Sequence, residues 1–88
     1  MKDIILYYDK HCPDTQGFMD YLDEHKIEYR ACDITENMRN IKEFLHWRDT
    51  SSLFNKVKEV GAVGVPLICV NHGEALYLHL PSDPSCLQ

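Results

Sequence analysis

Ile4-Ile5-Leu6-Tyr7-Tyr8-Asp9-Lys10-His11-Cys12-Pro13-Asp14-Thr15 passes from an apolar run into a polar, proline-marked segment within twelve residues. The run Ile4 to Tyr8, bounded by Asp3 and Asp9, has the composition of a strand buried on both faces. Asp9 to Asp14 supplies a loop, and Pro13 fits the first position of a helix, where a missing N–H costs nothing. That helix is expected to reach about His25. Phe18, Met19, Tyr21 and Leu22 give it an apolar stripe, despite Gly17, which costs roughly 1 kcal/mol against alanine.

Beyond it, Ile27, Tyr29 and Ala31 alternate with Glu28, Arg30 and Cys32, the period of a half-buried strand over Ile27 to Asp33. A helix is expected to start near Asn37, with Met38, Ile41, Phe44, Leu45 and Trp47 at helical spacing and Arg48 in its last turn. Asp49 to Ser52 break the pattern with capping side chains. A further helix carries Leu53, Phe54, Val57 and Val60 and ends at Gly61. Val65 to Val70 reads as a strand whose Pro66 demands an edge or a special geometry. Asn71-His72-Gly73 is a turn, and Glu74 to Leu78 alternates into a last strand. The order β-α-β-α-α-β-β predicts an α/β chain: a small four-stranded mixed sheet with flanking helices.

At 88 residues the chain has room for one domain, expected over residues 1–80 with a short tail at 81–88. Nine Lys+Arg against 14 Asp+Glu give a net charge of −5, with no basic stripe, which points away from nucleic acid. No apolar run approaches the roughly 20 residues of a bilayer span, and no leader pattern opens the sequence. A cytoplasmic protein with no membrane partner is expected. Cys12, Cys32, Cys69 and Cys86 form no C-x-x-C pair, so neither a zinc site nor a secreted disulfide framework is indicated. No metal is expected.

Cys12 is set apart by position. A sulfur at a strand-to-helix junction meets unpaired N–H groups and the positive end of the helix dipole, which favour the thiolate. Lys10 and His11 add positive or donor groups before it, Asp14 opposes them, and the Thr15 hydroxyl is expected to point back at the sulfur. Cys69 reads as core, Cys32 as partly exposed on the polar face of its strand, and Cys86 as lying in a mobile tail.

Cys12-Pro13-Asp14-Thr15 after a strand, with Gly64-Val65-Pro66 opening a later one, resembles the glutaredoxins, whose motif is C-P-x-C or, in monothiol members, C-x-x-S. Phe44 to Thr50, Phe54, Val57-Lys58 and Gly64-Val65-Pro66 are most similar to a bacterial subgroup of glutaredoxin-related proteins. The resemblance covers residues 3 to about 78. It implies a thioredoxin-like fold with the C-terminal helix short or absent, and a cis Pro66 facing Cys12. It also implies a monothiol thiol-disulfide oxidoreductase that uses glutathione or another low-molecular-weight thiol as co-substrate. Cys12, Pro13 and Thr15 are then the catalytic segment. Lys10, His11, Val65, Pro66, Gly73 and Glu74 are the candidates for holding the thiol. Lys10 stands two residues before the cysteine where the family has three, and the family's glycine pair is reduced to His72-Gly73-Glu74. The partners implied are a small thiol and protein mixed disulfides, with the chain a monomer or weak homodimer. An iron-sulfur cluster carrier and a redox-silent binding module are the alternatives.

Overall fold

The computed structural model describes residues 2–88. It is a mixed α/β chain in which helices cover both faces of a four-stranded sheet of order β2-β1-β3-β4. The strands are β1 (Ile4–Tyr8), β2 (Arg30–Asp33), β3 (Leu67–Val70) and β4 (Ala75–Tyr77), and the helices α1 (Thr15–Glu24), α2 (Met38–Thr50) and α3 (Asn55–Glu59). Two 3-10 turns, Ser52–Phe54 and Pro84–Leu87, add to the order read from the sequence. β1 pairs parallel with β2 and antiparallel with β3, and β3 pairs antiparallel with β4.

β1 is hydrogen-bonded along both edges and buried on both faces, so its side chains seed two cores. Ile4 and Leu6 pack with Ile68 and Val70 against Phe18 and Leu22 of α1. Ile5 and Tyr7 pack with Leu67 and Cys69 against Phe44 of α2 and Phe54. In the second core the Tyr7 hydroxyl donates to Glu43 Oε2 at 2.6 Å and accepts from Trp47 Nε1 at 3.2 Å. Arg30 donates to the same carboxylate oxygen at 2.6 Å.

Several local expectations change. Pro13 is not the first helical residue: Cys12 to Asp14 form a turn closed by Thr15 N to Cys12 O at 3.2 Å, and α1 begins at Thr15. The strand expected from Ile27 begins at Arg30. Lys26 takes a left-handed φ of 56°, and Ile27 N closes the end of α1 on Leu22 O at 2.9 Å, which uses up the first residues of the run. Cys32 is buried, not partly exposed, because α2 covers the face of β2 that sequence polarity suggested was open. The helix over Leu53 to Gly61 is split between the 3-10 turn Ser52–Phe54 and α3, with Gly61 left-handed after it. Pro66 lies just outside β3, so an interior strand loses no ladder donor to it.

The tail is not loose. Leu87 is 1% exposed beneath the sheet, with Lys2 Nζ on Cys86 O at 2.7 Å and the Tyr21 hydroxyl on Pro81 O at 2.8 Å. The tail is therefore tied to the first core through Leu87, with Cys86 packed beside it, while Ser82, Asp83, Ser85 and Gln88 are exposed. Among the described residues no helix is long and apolar enough to cross a membrane.

Leu87→Ala is expected to cost about 2–3 kcal/mol in urea unfolding, because it opens a cavity in the first core; a loss below about 0.5 kcal/mol would detach the tail from the fold. A second test concerns Glu43. Burial alone would raise its carboxyl, but the hydrogen bonds from Tyr7 and Arg30 and the charges of Arg30 and Arg39 outweigh it and hold the group below its ordinary value. The unfolded chain therefore takes up that proton first, and the contribution, full above about pH 4.5, is lost as the pH falls through the lowered folded value. Glu43→Gln should lose less melting temperature than wild type between neutral and about pH 3. Parallel curves would refute this.

Candidate functional site

The loop after β1 is organised by Asp9, a residue that sequence reading left in the background. Its backbone carbonyl accepts from Cys12 N at 2.9 Å and from Thr15 Oγ1 at 3.0 Å. Its side-chain Oδ1 accepts from His11 N at 2.9 Å and lies 3.3 Å from His11 Nδ1. An aspartate bonding the backbone two residues ahead is an Asx turn, and Asp at the end of a strand was the signal for it. The arrangement fixes Cys12 at the mouth of the loop, half-buried.

Thr15 takes a different part from the one expected. It is buried, and its one hydroxyl proton is committed to the Asp9 carbonyl, so it has no donor left for the sulfur. Its work is to tie the first turn of α1 to the loop. Cys12 Sγ instead lies 4.0 Å from the carbonyl oxygen of Val65, which a cis peptide joins to Pro66. The antiparallel pairing of Tyr7 with Leu67 brings that segment to the end of β1 from which the Cys12 loop departs. Gly64 sets its path. At a φ of 102° it sits so close to the Phe54 ring that a Cβ would come within 2.8 Å of a ring carbon.

A groove of about 610 Å³ is lined by Pro13, Asp14, Val57, Val65, Pro66 and Leu78 among others; Cys12 does not line it but adjoins it through Pro13 in the chain and Val65 in space. Thus Cys12, Pro13, Val65 and Pro66 are brought together. Lys10 and His11 stand on the other side of the loop, toward β2. The Asp33 carboxyl there is held low first by the Thr35 hydroxyl, against burial, and further by the charges of Lys10 and His11. Val57, which the resemblance includes, joins the groove together with Leu78, His79 and Leu80, which no motif marks. Leu78 and its neighbours arrive because β4 runs back toward Cys12.

Gly73 and Glu74 are not in the site. The register pairs Ile4 with Val70 and Val70 with Ala75, which puts their turn at the start of β1, at the opposite end of the sheet from Cys12. There Gly73, at a φ of 95°, lies against the Trp47 indole, which occupies the space a Cβ would need. Glu74 accepts from Asn71 Nδ2 at 3.3 Å, and His72 Nε2 lies 2.9 Å from Asp3 Oδ2. A turn-forming glycine that accommodates a tryptophan explains this motif.

The other thiols are remote from the groove. Cys32 and Cys69 are buried in the second core, where burial pushes both thiols up. They flank β1, so about two strand spacings, close to 10 Å, separate them, beyond disulfide reach. Cys86 packs on the first core, its Sγ 3.3 Å from Asp83 O. Among the described residues no group of His, Cys, Asp and Glu is placed to hold a metal ion.

No protein-family model matches the chain. An uncharacterized protein of Haemophilus influenzae is 33% identical over 72 residues, which span 82% of this chain and 84% of that one. The two belong to one family.

The two glycines give a test of the site's extent. Gly73→Ala should cost about 1–3 kcal/mol of stability by forcing Trp47 aside. It should leave the rate of Cys12 alkylation by iodoacetamide, in a Cys86→Ser background, within about twofold of wild type. Gly64→Ala, whose clash adjoins Val65, should change both stability and rate. An alkylation change in Gly73→Ala as large as in Gly64→Ala would return the turn to the site.

Proposed function

We propose that this chain is a glutaredoxin-like monothiol oxidoreductase with a thioredoxin-like fold, and that Cys12 is its nucleophile. The observation that carries the reading is the half-buried Cys12 sulfur 4.0 Å from the carbonyl that precedes the cis Pro66, with Pro13, Val65 and Pro66 around it lining a groove. The other three cysteines are packed elsewhere in the fold.

In the proposed cycle the Cys12 thiolate attacks the small-thiol sulfur of a mixed disulfide. The sulfur–sulfur bond breaks, the protein sulfur leaves as a thiolate and takes a proton from water, and Cys12 is left joined to the small thiol. A second low-molecular-weight thiol, of the glutathione type, attacks that new bond as its thiolate. It leaves as the oxidised disulfide and returns Cys12 to its starting state. No second protein cysteine enters, in keeping with threonine at position 15. Val65 offers backbone groups to the bound thiol, and Lys10 and His11 offer positive or donor groups on the β2 side. Chemistry of this kind belongs to a reducing compartment such as the cytoplasm.

Wild-type protein should reduce the glutathione–cysteine mixed disulfide, with glutathione and a coupled glutathione reductase, at least about a hundredfold faster than Cys12→Ser, since the nucleophile is lost outright. The Cys86→Ser variant should keep the wild-type rate. Equal rates for wild type and Cys12→Ser would end the oxidoreductase reading.

A further inference from the structure

β4 stands at the edge of the sheet, and among the described residues nothing pairs with its outer side. Beside it lies a second groove of about 550 Å³, walled by Leu53, Val57 and Val60 on one side and Leu76 and Leu78 on the other. Leu53 is 43% and Val60 73% exposed, a large apolar outlay for so short a segment. Lys56 and His79 also line it, and no carboxylate does. That is notable in a chain with 14 acidic and 9 basic residues. Val57, Leu78 and His79 line both this groove and the one walled by Pro13, Val65 and Pro66, so the two adjoin.

We propose that the outer edge of β4 and this groove dock an extended polypeptide segment with apolar side chains at alternate positions and net negative charge. The segment belongs to the protein whose mixed disulfide Cys12 attacks, an assignment that rests on the thiol–disulfide reading above. A strand added to a free edge gains backbone hydrogen bonds, and the strand period sends every second side chain to the face that Leu76 and Leu78 occupy. There they meet Leu53, Val57 and Val60. The sign of the groove selects the partner. A second copy docked edge to edge about a two-fold axis would set two Lys56 rims against each other and join two chains of charge −5. An acidic segment instead meets complementary charge. From there the adjoining first groove leads to Pro13 and Val65, the neighbours of Cys12, and so brings the segment's cysteine toward the loop that holds the nucleophile.

Two peptides of about ten residues, enough to span β4 and reach Cys12, provide the test. Each bears one cysteine blocked with glutathione, followed by valine and leucine alternating with glutamate in one and lysine in the other. The glutamate peptide should be reduced with a kcat/KM at least about tenfold above that of the lysine peptide and of the glutathione–cysteine disulfide. Val60→Glu and Lys56→Glu, both at exposed positions, should erase most of that advantage and leave the rate on the glutathione–cysteine disulfide unchanged. Equal rates for the two peptides, with the small disulfide still reduced, would overturn the docking proposal and spare the oxidoreductase. So would a wild-type dimer in sedimentation that Val60→Glu dissociates, since a second copy would then own the edge. Charge-selective binding of the glutamate peptide by Cys12→Ser protein, seen by fluorescence anisotropy, with no reduction of any disulfide by wild type, would overturn the substrate role of the docked segment and the redox reading together.

Discussion

The antiparallel ladder between β1 and β3, from Ile4 with Val70 to Tyr7 with Leu67, is the constraint on which the rest depends. It joins residues sixty or more positions apart, so its closure entropy is large and must be met by burial. The strand composition supplies that burial. Ile4 and Leu6 feed one core, Ile5 and Tyr7 the other, and all four are nearly inaccessible to water. With the ladder formed, the loop leaving the end of β1 and the segment entering β3 must lie side by side. Cys12 and Val65 meet because of strand register, and no direct attraction between them is required.

Within that frame the site is held by backbone groups more than by charges. The Asp9 carbonyl gathers the Cys12 amide and the Thr15 hydroxyl, and its carboxylate gathers the His11 amide. On the facing side, Gly64 allows the chain to pass against Phe54, a fully buried ring of the second core. The position of the sulfur is therefore coupled to core packing through Phe54 and Val57, both of which pack in that core. The polar set of Tyr7, Glu43, Arg30 and Trp47 fixes α2 over the same core, and Trp47 in turn rests on Gly73 at the far end of the sheet.

The sequence was most legible where a physical pattern acts locally. The β1 run, the Asn37 cap of α2, the left-handed Gly61 and the Asn71-His72-Gly73 turn are set by near neighbours, and each stands where its residues imply. Errors arose where distant contacts decide. The alternation of residues 27–33 assigns faces but does not tell which face α2 covers, and Cys32, on the more polar face, is buried by α2. Two prolines in the tail suggested looseness, yet Leu87 finds the core through Lys2 and Tyr21, which no local pattern announces. Gly73 and Glu74 were attributed to a ligand by resemblance. The register of β3 with β4 carries them away from Cys12, and the same register brings in Leu78 and His79, which carry no motif.

The surroundings of Cys12 differ on its two sides, a difference that the proposed thiol–disulfide exchange would use. The entering, central and leaving sulfurs lie close to one line during exchange; in the proposed cycle the small thiol's sulfur is the central one and Cys12 an end of the line in both steps, so the polypeptide sulfur lies beyond the small thiol. Toward β2 stand Lys10 and His11, exposed and able to meet the carboxylates of a small acidic thiol. Toward β4 lies the apolar groove of Val57, Pro66 and Leu78, suited to a polypeptide. In a monothiol cycle one cysteine must exchange with two unlike partners in turn. On the proposed reading, a surface polar toward β2 and apolar toward β4 gives the small thiol and the polypeptide separate contacts, so the polypeptide can leave while the small thiol stays joined to Cys12.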